Sequence, residues 1–512
     1  MSNNLPLKGG RLWLMTLSLS LAIFMNVLDT SIANVAIPTI AGDLGVSADN
    51  GTWVITSFAV SQAIMLPLTG WLARRFGELK LFVLSTTLFT LSSILCGLSQ
   101  NLTMLVCFRV LQGAVSGPMI PLSQSILLNN FPEEKKGLAT GIWAMTAVVA
   151  PIFGPIMGGI IIDNYTWPWI FYINVPVGIF SVCFTLITLA GRESSIEHTP
   201  IDYVGLILLI IGIGCLQILL DKGQDLDWFK SAVIQILGII AVISLSFLMV
   251  WLLTQSDPIV DLLLFSDRNF AVGVICLTLG FLIYFSNVVI FPLWLQTQMG
   301  YTPTWAGLAS APVGFLPVLL TPVVGNYMNQ FDLRKIVSLG FFVFMLTSYW
   351  QSNFYTGIGF WQLVEPRLIQ GLGISCFFTP LIAIILSDIS REKMASALGL
   401  ANFFRIIGGS FGTSISVSIW NDREAFHQSR LVENINEYNT FYIQFKDQLN
   451  DLGVHSMQSM GIIYRGIIQQ AYMLATNDIF RLSAWIFGGL LFLVWLARPI
   501  KPNLTTKPIL ME

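Results

Sequence analysis

Long apolar stretches alternate with short polar breaks along almost the whole chain. A hydrocarbon layer about 30 Å thick is crossed by about 20 predominantly apolar residues in one helix. The pattern predicts fourteen such helices, near 14–37, 52–73, 81–99, 103–128, 139–162, 170–190, 203–220, 232–253, 271–295, 305–327, 336–351, 360–386, 396–420 and 479–497. Proline and glycine fall inside many of them, which a packed membrane bundle accommodates because neighbouring helices re-satisfy the freed backbone groups. The single long polar interval, 421–478, is long enough to hold structure of its own.

Fourteen crossings put both termini on one side. On that side lie Lys8, Arg11, Arg74, Arg75, Lys80, Lys135, Lys136, Arg192, Arg268, Arg334, Lys335, Arg391, Lys393, Arg498, Lys501 and Lys507. The short loops of the other side hold only Lys222 and Lys230. Basic residues concentrate in cytoplasmic loops, so both termini are expected in the cytoplasm. The interval 421–478 is then expected on the far side, where long segments cross regardless of charge.

The chain also repeats itself. Arg109-Val-Leu-Gln112-Gly113 recurs as Arg367-Leu-Ile-Gln370-Gly371, 258 positions on, and the same offset carries Gly141 onto Gly399 and Gly154 onto Gly412. The segment from Gly70 to Lys80 matches Gly325 to Lys335 at an offset of 255. Thr52-Trp53 and Thr304-Trp305 open the helices before those segments. The matched helices run in the same direction, so the repeat is parallel, the pattern of two six-helix halves in a major-facilitator fold. The expected fold is therefore an all-α polytopic membrane protein. A six-helix bundle covers 1–192, two linker helices cover 193–256, and a second six-helix bundle covers 257–512 with the insertion 421–478.

Composition agrees with this reading. Of the 512 residues, 54% are hydrophobic and 11% charged, against about 25% charged in soluble domains. A net charge of -2 gives no footing to a nucleic-acid partner. Six cysteines, all inside apolar runs, read as small buried hydrophobes and not as disulfides or metal ligands. Lys8 and Arg11 precede the first apolar run, which continues past signal-peptide length and is expected to serve as both targeting signal and first span. His198, His427 and His455 lie outside the spans, so neither a histidine proton relay nor an intramembrane histidine metal site is expected. There is no G-x-x-x-x-G-K-[ST] string, so energy is expected from an ion gradient, unless a partner hydrolyses ATP. No cofactor is expected.

A few ionisable residues remain inside the spans. Asp29 lies mid-span, where a carboxylate must pair or protonate. It is a candidate proton site, the plainer alternative being a structural hydrogen-bonding acid. Arg109 lies at a similar depth and is its natural partner, or else a fixed charge bracing backbone carbonyls. Arg405 sits near mid-membrane with no acid at its level, which suits a water-filled cavity or an anionic ligand. Bonding to carbonyls beside Gly408 and Gly409 is the alternative. Asn34, Gln112, Asn402 and Arg405 are the expected lining of a substrate cavity. Glu365 and Arg367, near the outer end of their helix, read as an outer-surface ion pair. The run with Pro151, Gly154, Pro155, Gly158 and Gly159 combines close helix approach with bending, through which it would shape a gate.

These strings resemble those of the fourteen-span drug:proton antiporters of the major facilitator superfamily, and the chain is similar to the EmrB-type multidrug exporters of Gram-negative bacteria. The resemblance rests on Leu28-Asp29-Thr30 through Asn34-Val-Ala-Ile-Pro38, on Arg109 to Gly113, and on Gly154-Pro155-x-x-Gly158-Gly159. It rests further on Trp167-Pro-Trp169-Ile-Phe171-Tyr-Ile-Asn174-Val-Pro176-Val-Gly178. Gly70, Arg75, Gly77 and Lys80 match the family's first cytoplasmic loop, but Arg74 stands where that loop usually carries an acid. The gating salt bridge assigned to that acid therefore does not carry over. The resemblance implies export of uncouplers, weakly acidic antibiotics, bile salts or fatty acids in exchange for protons across a bacterial inner membrane. It also implies a periplasmic membrane-fusion adaptor and an outer-membrane channel as partners, with 421–478 as a plausible adaptor contact or a cap with no partner. A narrow exporter of one metabolite, fatty acid or siderophore fits the same sequence. A membrane-embedded enzyme would need a cluster of His, Asp or Cys at one depth, and the spans offer isolated charges.

Overall fold

The computed structural model describes residue 7 and residues 9–499, apart from 47, 133–134, 194–195, 197–201, 256–257, 434, 437, 453 and 455. Lys8, His198, His455, Lys501 and Lys507 fall outside the described residues, as do the side chains of Asn34, Pro151 and Pro155. Among the described residues there is no strand. The helices are α1 (Gly9–Asp43), α2 (Ala48–Gly51), α3 (Trp53–Phe76), α4 (Glu78–Gly97), α5 (Leu102–Asn130), α6 (Lys136–Asn164), α7 (Trp169–Tyr172), α8 (Asn174–Leu189) and α9 (Tyr203–Lys222). They continue as α10 (Ala232–Thr254), α11 (Arg268–Thr297), α12 (Pro303–Ser310), α13 (Phe315–Tyr327), α14 (Leu333–Gln351), α15 (Phe360–Leu386), α16 (Met394–Val432), α17 (Thr440–Asp451) and α18 (Ser456–Leu493).

Taking α7 with α8 and α12 with α13, and leaving aside the short α2 and α17, these fall on the fourteen expected spans. Eleven are long and apolar enough to cross a membrane by length and composition alone. Helix α16 falls short of that measure because Asn402, Arg405 and several serines dilute its apolar run. It packs instead against α11, α18 and α3, so much of its surface meets protein and not lipid.

Two sets of helices pack alike. In the first, α1 lies on α6 and α8, α3 on α5, and α4 on α5 and α8. In the second, α11 lies on α16 and α18, α13 on α15, and α14 on α15 and α18. The sets meet through α6 against α13 and α3 against α16, a pseudo-twofold exchange of equivalent helices. The repeated glycines explain the seam. A Cβ on Gly141 would lie 2.7 Å from the Thr321 carbonyl oxygen, and one on its repeat partner Gly399 would lie 2.9 Å from that of Leu66. Only bare backbone fits at either place.

The linker helices α9 and α10 pack on each other, and α9 also touches α3 and α16. Its far end bonds to both sets: Lys222 Nζ to Thr52 Oγ1 at the start of α3, and Gln217 Nε2 to Ser410 Oγ on α16 at 3.0 Å. Ser414 Oγ donates to the Leu220 carbonyl at 2.6 Å, and Ser418 Oγ to Gln224 Oε1 at 2.6 Å.

The helices run past the expected span end at 420 and begin before the expected span start at 479. Helix α16 is 39 residues long and α18 is 38; at 1.5 Å per residue each is roughly 58 Å, well beyond a bilayer core of about 30 Å. The interval 421–478 is thus largely a helical hairpin continuing α16 and α18, with α17 between them. Polar surface hides helical continuity when no apolar period marks it. The base of the hairpin is tied by Arg423 Nη2 and His427 Nε2 on Asp478 Oδ2, at 2.6 and 2.8 Å. Trp420 Nε1 donates to Thr476 Oγ1 at 2.8 Å.

Candidate functional site

Helices α1, α4, α5 and α8 bring one polar cluster into an apolar interior. Asp29 on α1 is 2% exposed and Arg109 on α5 fully buried, and Arg109 Nη1 meets Asp29 Oδ2 at 2.5 Å. The pairing expected from depth alone is therefore present. Arg109 also donates from Nε to the Val54 carbonyl at 3.0 Å and from Nη1 to Gln112 Oε1 at 2.8 Å. Its guanidinium lies 4.2 Å from the Phe58 ring centroid. The other carboxylate oxygen, Asp29 Oδ1, accepts from Asn174 Nδ2 at 2.7 Å and from Gln112 Nε2 at 3.2 Å. Ser93 Oγ accepts from Asn174 and Gln112 at 2.9 and 3.2 Å, and donates to the Phe171 carbonyl at 3.0 Å. Burying an ion pair costs more than its attraction returns unless the remaining lone pairs are bonded. Here the carboxylate accepts from three donors, while Arg109 keeps one buried nitrogen, Nη2, without a partner.

Sequence reasoning missed Asn174 and Ser93. Asn174 stood inside the Trp167–Gly178 string and is an amide within a span, which was the available signal. Ser93 had none. Gln112, expected along the substrate cavity, is fully buried in the carboxylate cluster. Asn402 is 1% exposed and donates to its own helix at the Leu398 carbonyl, 2.9 Å. Arg405 is half-buried on α16, with its guanidinium 5.2 and 5.7 Å from the ring centroids of Phe281 and Phe378, and its Nε has no partner.

The expected outer-surface pair Glu365–Arg367 is not formed. Glu365 is exposed while Arg367 is 2% exposed. Two positions along a helix are about 200° apart, so the two side chains leave in different directions. Arg367 Nη1 donates to Gln370 Oε1 at 3.1 Å and Nη2 to the Asn287 carbonyl at 3.0 Å.

The first basic loop packs tightly. A Cβ on Gly70 would lie 2.0 Å from Ser396 Oγ, at the start of α16. Gly77 has φ +88°, open to glycine, and a Cβ there would meet Glu193 Oε1 at 2.4 Å. Glu193 accepts from the backbone N–H groups of Leu79 and Lys80 at 3.0 Å each, capping α4 where Gly77 has no side chain to do so. In the repeat, Asp332 caps its own helix by accepting from the Arg334 N–H at 3.0 Å, and its bond to the Arg334 side chain holds its carboxyl below the usual range. Arg75 lies over the Trp71 ring at 5.5 Å, and the Lys80 side chain is exposed. On α6, a Cβ at Gly154 would lie 2.1 Å from Ser31 Oγ of α1, and Gly158 is buried. Gly159, by contrast, is not at a close approach, since a Cβ there would meet nothing within 4 Å.

Residues 19–413 match the model of the Major Facilitator Superfamily. The chain belongs to that superfamily. It is 52% identical over 495 residues to the multidrug export protein EmrB of Haemophilus influenzae, spanning 96% of this chain and 97% of that one. It is 48% identical over 494 residues to the fatty acid resistance protein FarB of Neisseria gonorrhoeae, spanning 96% and 97%. Among solved structures, the human organic anion transporter MFSD10 superposes with a TM-score of 0.60 at 11% identity, over 95% of this chain and 100% of that one. That last likeness carries the fold alone. A multi-pass transporter of the EmrB type therefore accounts for the helices, the repeat and the buried ion pair together.

Proposed function

We propose that this chain exports hydrophobic toxic compounds, neutral or weakly acidic, in exchange for protons across a bacterial inner membrane by alternating access. The observation that carries the coupling is the Asp29 cluster: a carboxylate 2% exposed, held by Arg109 and Gln112 of α5 and Asn174 of α8. A proton on Asp29 weakens the charge attraction to Arg109, so protonation and helix position are linked. Full-length similarity to the EmrB proteins supports efflux of many compounds. The likeness to a fatty acid resistance protein, together with the unpaired Arg405 Nε, favours weak acids among them. No cofactor is required beyond the proton gradient.

The two bundles are taken as 1–192 and 257–512, with 193–256 as linker helices and both termini cytoplasmic. The α16–α18 hairpin then stands in the periplasm. Leu431, Ile435, Phe441, Phe445, Ile462 and Ile467 line an apolar groove of about 510 Å³ there, which suits a membrane-fusion adaptor leading to an outer-membrane channel. The test is uphill export in inverted vesicles. Wild-type protein should accumulate a hydrophobic weak acid when a proton gradient is imposed, and Asp29→Asn should insert normally and accumulate none. Unimpaired uphill export by Asp29→Asn would overturn the assignment.

A further inference from the structure

The second half contains a counterpart of the Asp29 cluster that lacks its acid. Arg367 and Gln370 repeat Arg109 and Gln112, and Nη1 of Arg367 bonds to Gln370 Oε1 as Arg109 bonds to Gln112. Asn287, 258 positions after Asp29, takes the aspartate's place: its carbonyl accepts from Arg367 Nη2, and its Oδ1 accepts from Ser483 Oγ of α18 at 3.0 Å. Helix α18 is the counterpart of α8, so Ser483 stands where Asn174 stands in the first half. Ser348, 255 positions after Ser93, lies on the equivalent helix.

Each arginine keeps one buried nitrogen without a partner, Nη2 of Arg109 and Nε of Arg367, but only Arg109 meets a carboxylate. In the first half Arg109 Nε donates to the Val54 carbonyl on an unbroken α3. In the second, the equivalent helix is split into α12 and α13 by a tight turn at Ala311–Gly314, and Arg367 Nε has no partner. Gln370 Nε2, Asn287 Nδ2 and Ser348 Oγ are likewise buried without partners. Arg367 is 2% exposed and the other three residues are fully buried. Among the described residues no carboxylate pairs with Arg367; it rests on the Phe291 ring, 3.9 Å from the centroid.

A buried guanidinium cannot shed its charge and requires compensation. Its immediate neighbours offer nitrogen donors in excess of acceptors. We propose that this cluster is a binding site for a small monovalent anion of the size of chloride, held by Arg367 Nε, Gln370 Nε2 and Asn287 Nδ2. The anion supplies to the second half the charge that Asp29 supplies to the first. One half thus carries an exchangeable proton on a carboxylate, and the other a fixed cation with a diffusible counter-ion.

The test uses purified full-length protein and radioactive chloride, with gluconate keeping ionic strength constant. Wild-type protein should show a single saturable class of chloride sites, and a higher Tm in chloride than in gluconate because a ligand that binds only the folded state stabilises it. Asn287→Asp installs the missing acid in an arrangement the first half already folds. That variant should bind no chloride and should have a Tm independent of chloride. Arg367→Gln should also lose binding. An excess of decanoate distinguishes the source of the anion: displacement of chloride by decanoate assigns the site to a substrate carboxylate, and no displacement assigns it to the free ion. Absence of saturable binding in wild type, with equal Tm in the two salts, would overturn the proposal. So would chloride binding by Asn287→Asp equal to wild type.

Discussion

Gly137 on α6 and Gly325 on α13 meet backbone to backbone at the end of the bundle that carries the basic loops. A Cβ on Gly137 would lie 1.9 Å from the Gly325 carbonyl oxygen, whereas Cβ atoms essentially never come within 3.0 Å of another heavy atom. Gly137→Ala must therefore part the two helices by an ångström or more, or lose the closed seam. Overpacking of this kind costs about 1–3 kcal/mol, and only in the conformation where α6 and α13 touch. At about 1.4 kcal/mol per tenfold, the ratio of parted to closed conformations should rise roughly 5- to 140-fold. Spin labels on Lys135→Cys and Lys335→Cys, both exposed at that end, in a background with the six native cysteines replaced, would report the separation. The longer-distance population should grow in Gly137→Ala, and export should fall with it. Gly159→Ala, where a Cβ meets nothing within 4 Å, should change neither. An unchanged distance distribution in Gly137→Ala would refute the claim that this seam is a moving contact.

Other expectations follow from the same geometry. Asn174→Ala removes a bond to a buried carboxylate; such bonds contribute about 1.5–3 kcal/mol, and both Tm and proton-driven export should fall, while export down a substrate gradient persists. Arg405→Gln should reduce resistance to hydrophobic acids more than to neutral compounds, and equal losses in growth assays would count against an anion-selective cavity. Deleting the 421–478 hairpin should abolish resistance in cells yet leave transport in vesicles largely intact; loss of vesicle transport would show that the hairpin serves the pump itself. Asp478→Asn, which removes the carboxylate shared by Arg423 and His427, should loosen the base of that hairpin, read as faster backbone hydrogen exchange in residues 421–432.

Span positions and the internal repeat were legible from the sequence, because each depends on local composition or on ordered strings such as Arg109–Gly113 and Arg367–Gly371. Asp29 was legible for a physical reason as well, since a lone acid in a long apolar run has no cheap explanation. The sequence alone also paired it with Arg109, by counting residues from the helix ends. Only tertiary structure decided what completes the cluster. Asn174 of α8 bonds Asp29 directly and Ser93 of α4 bonds Asn174 and Gln112 behind it, and no spacing along the chain encodes which helices touch. It also decided which of the two is buried: helix spacing already turns Glu365 and Arg367 to different faces, and the packing of α15 encloses Arg367 and exposes Glu365. The hairpin was hidden for the opposite reason, because a helix that leaves the membrane keeps its backbone bonds while losing the apolar pattern that announces it. Most telling is the difference between Asp29 and Asn287. The sequence shows the two halves as repeats, but only their packing reveals that one encloses a paired charge and the other an uncompensated one.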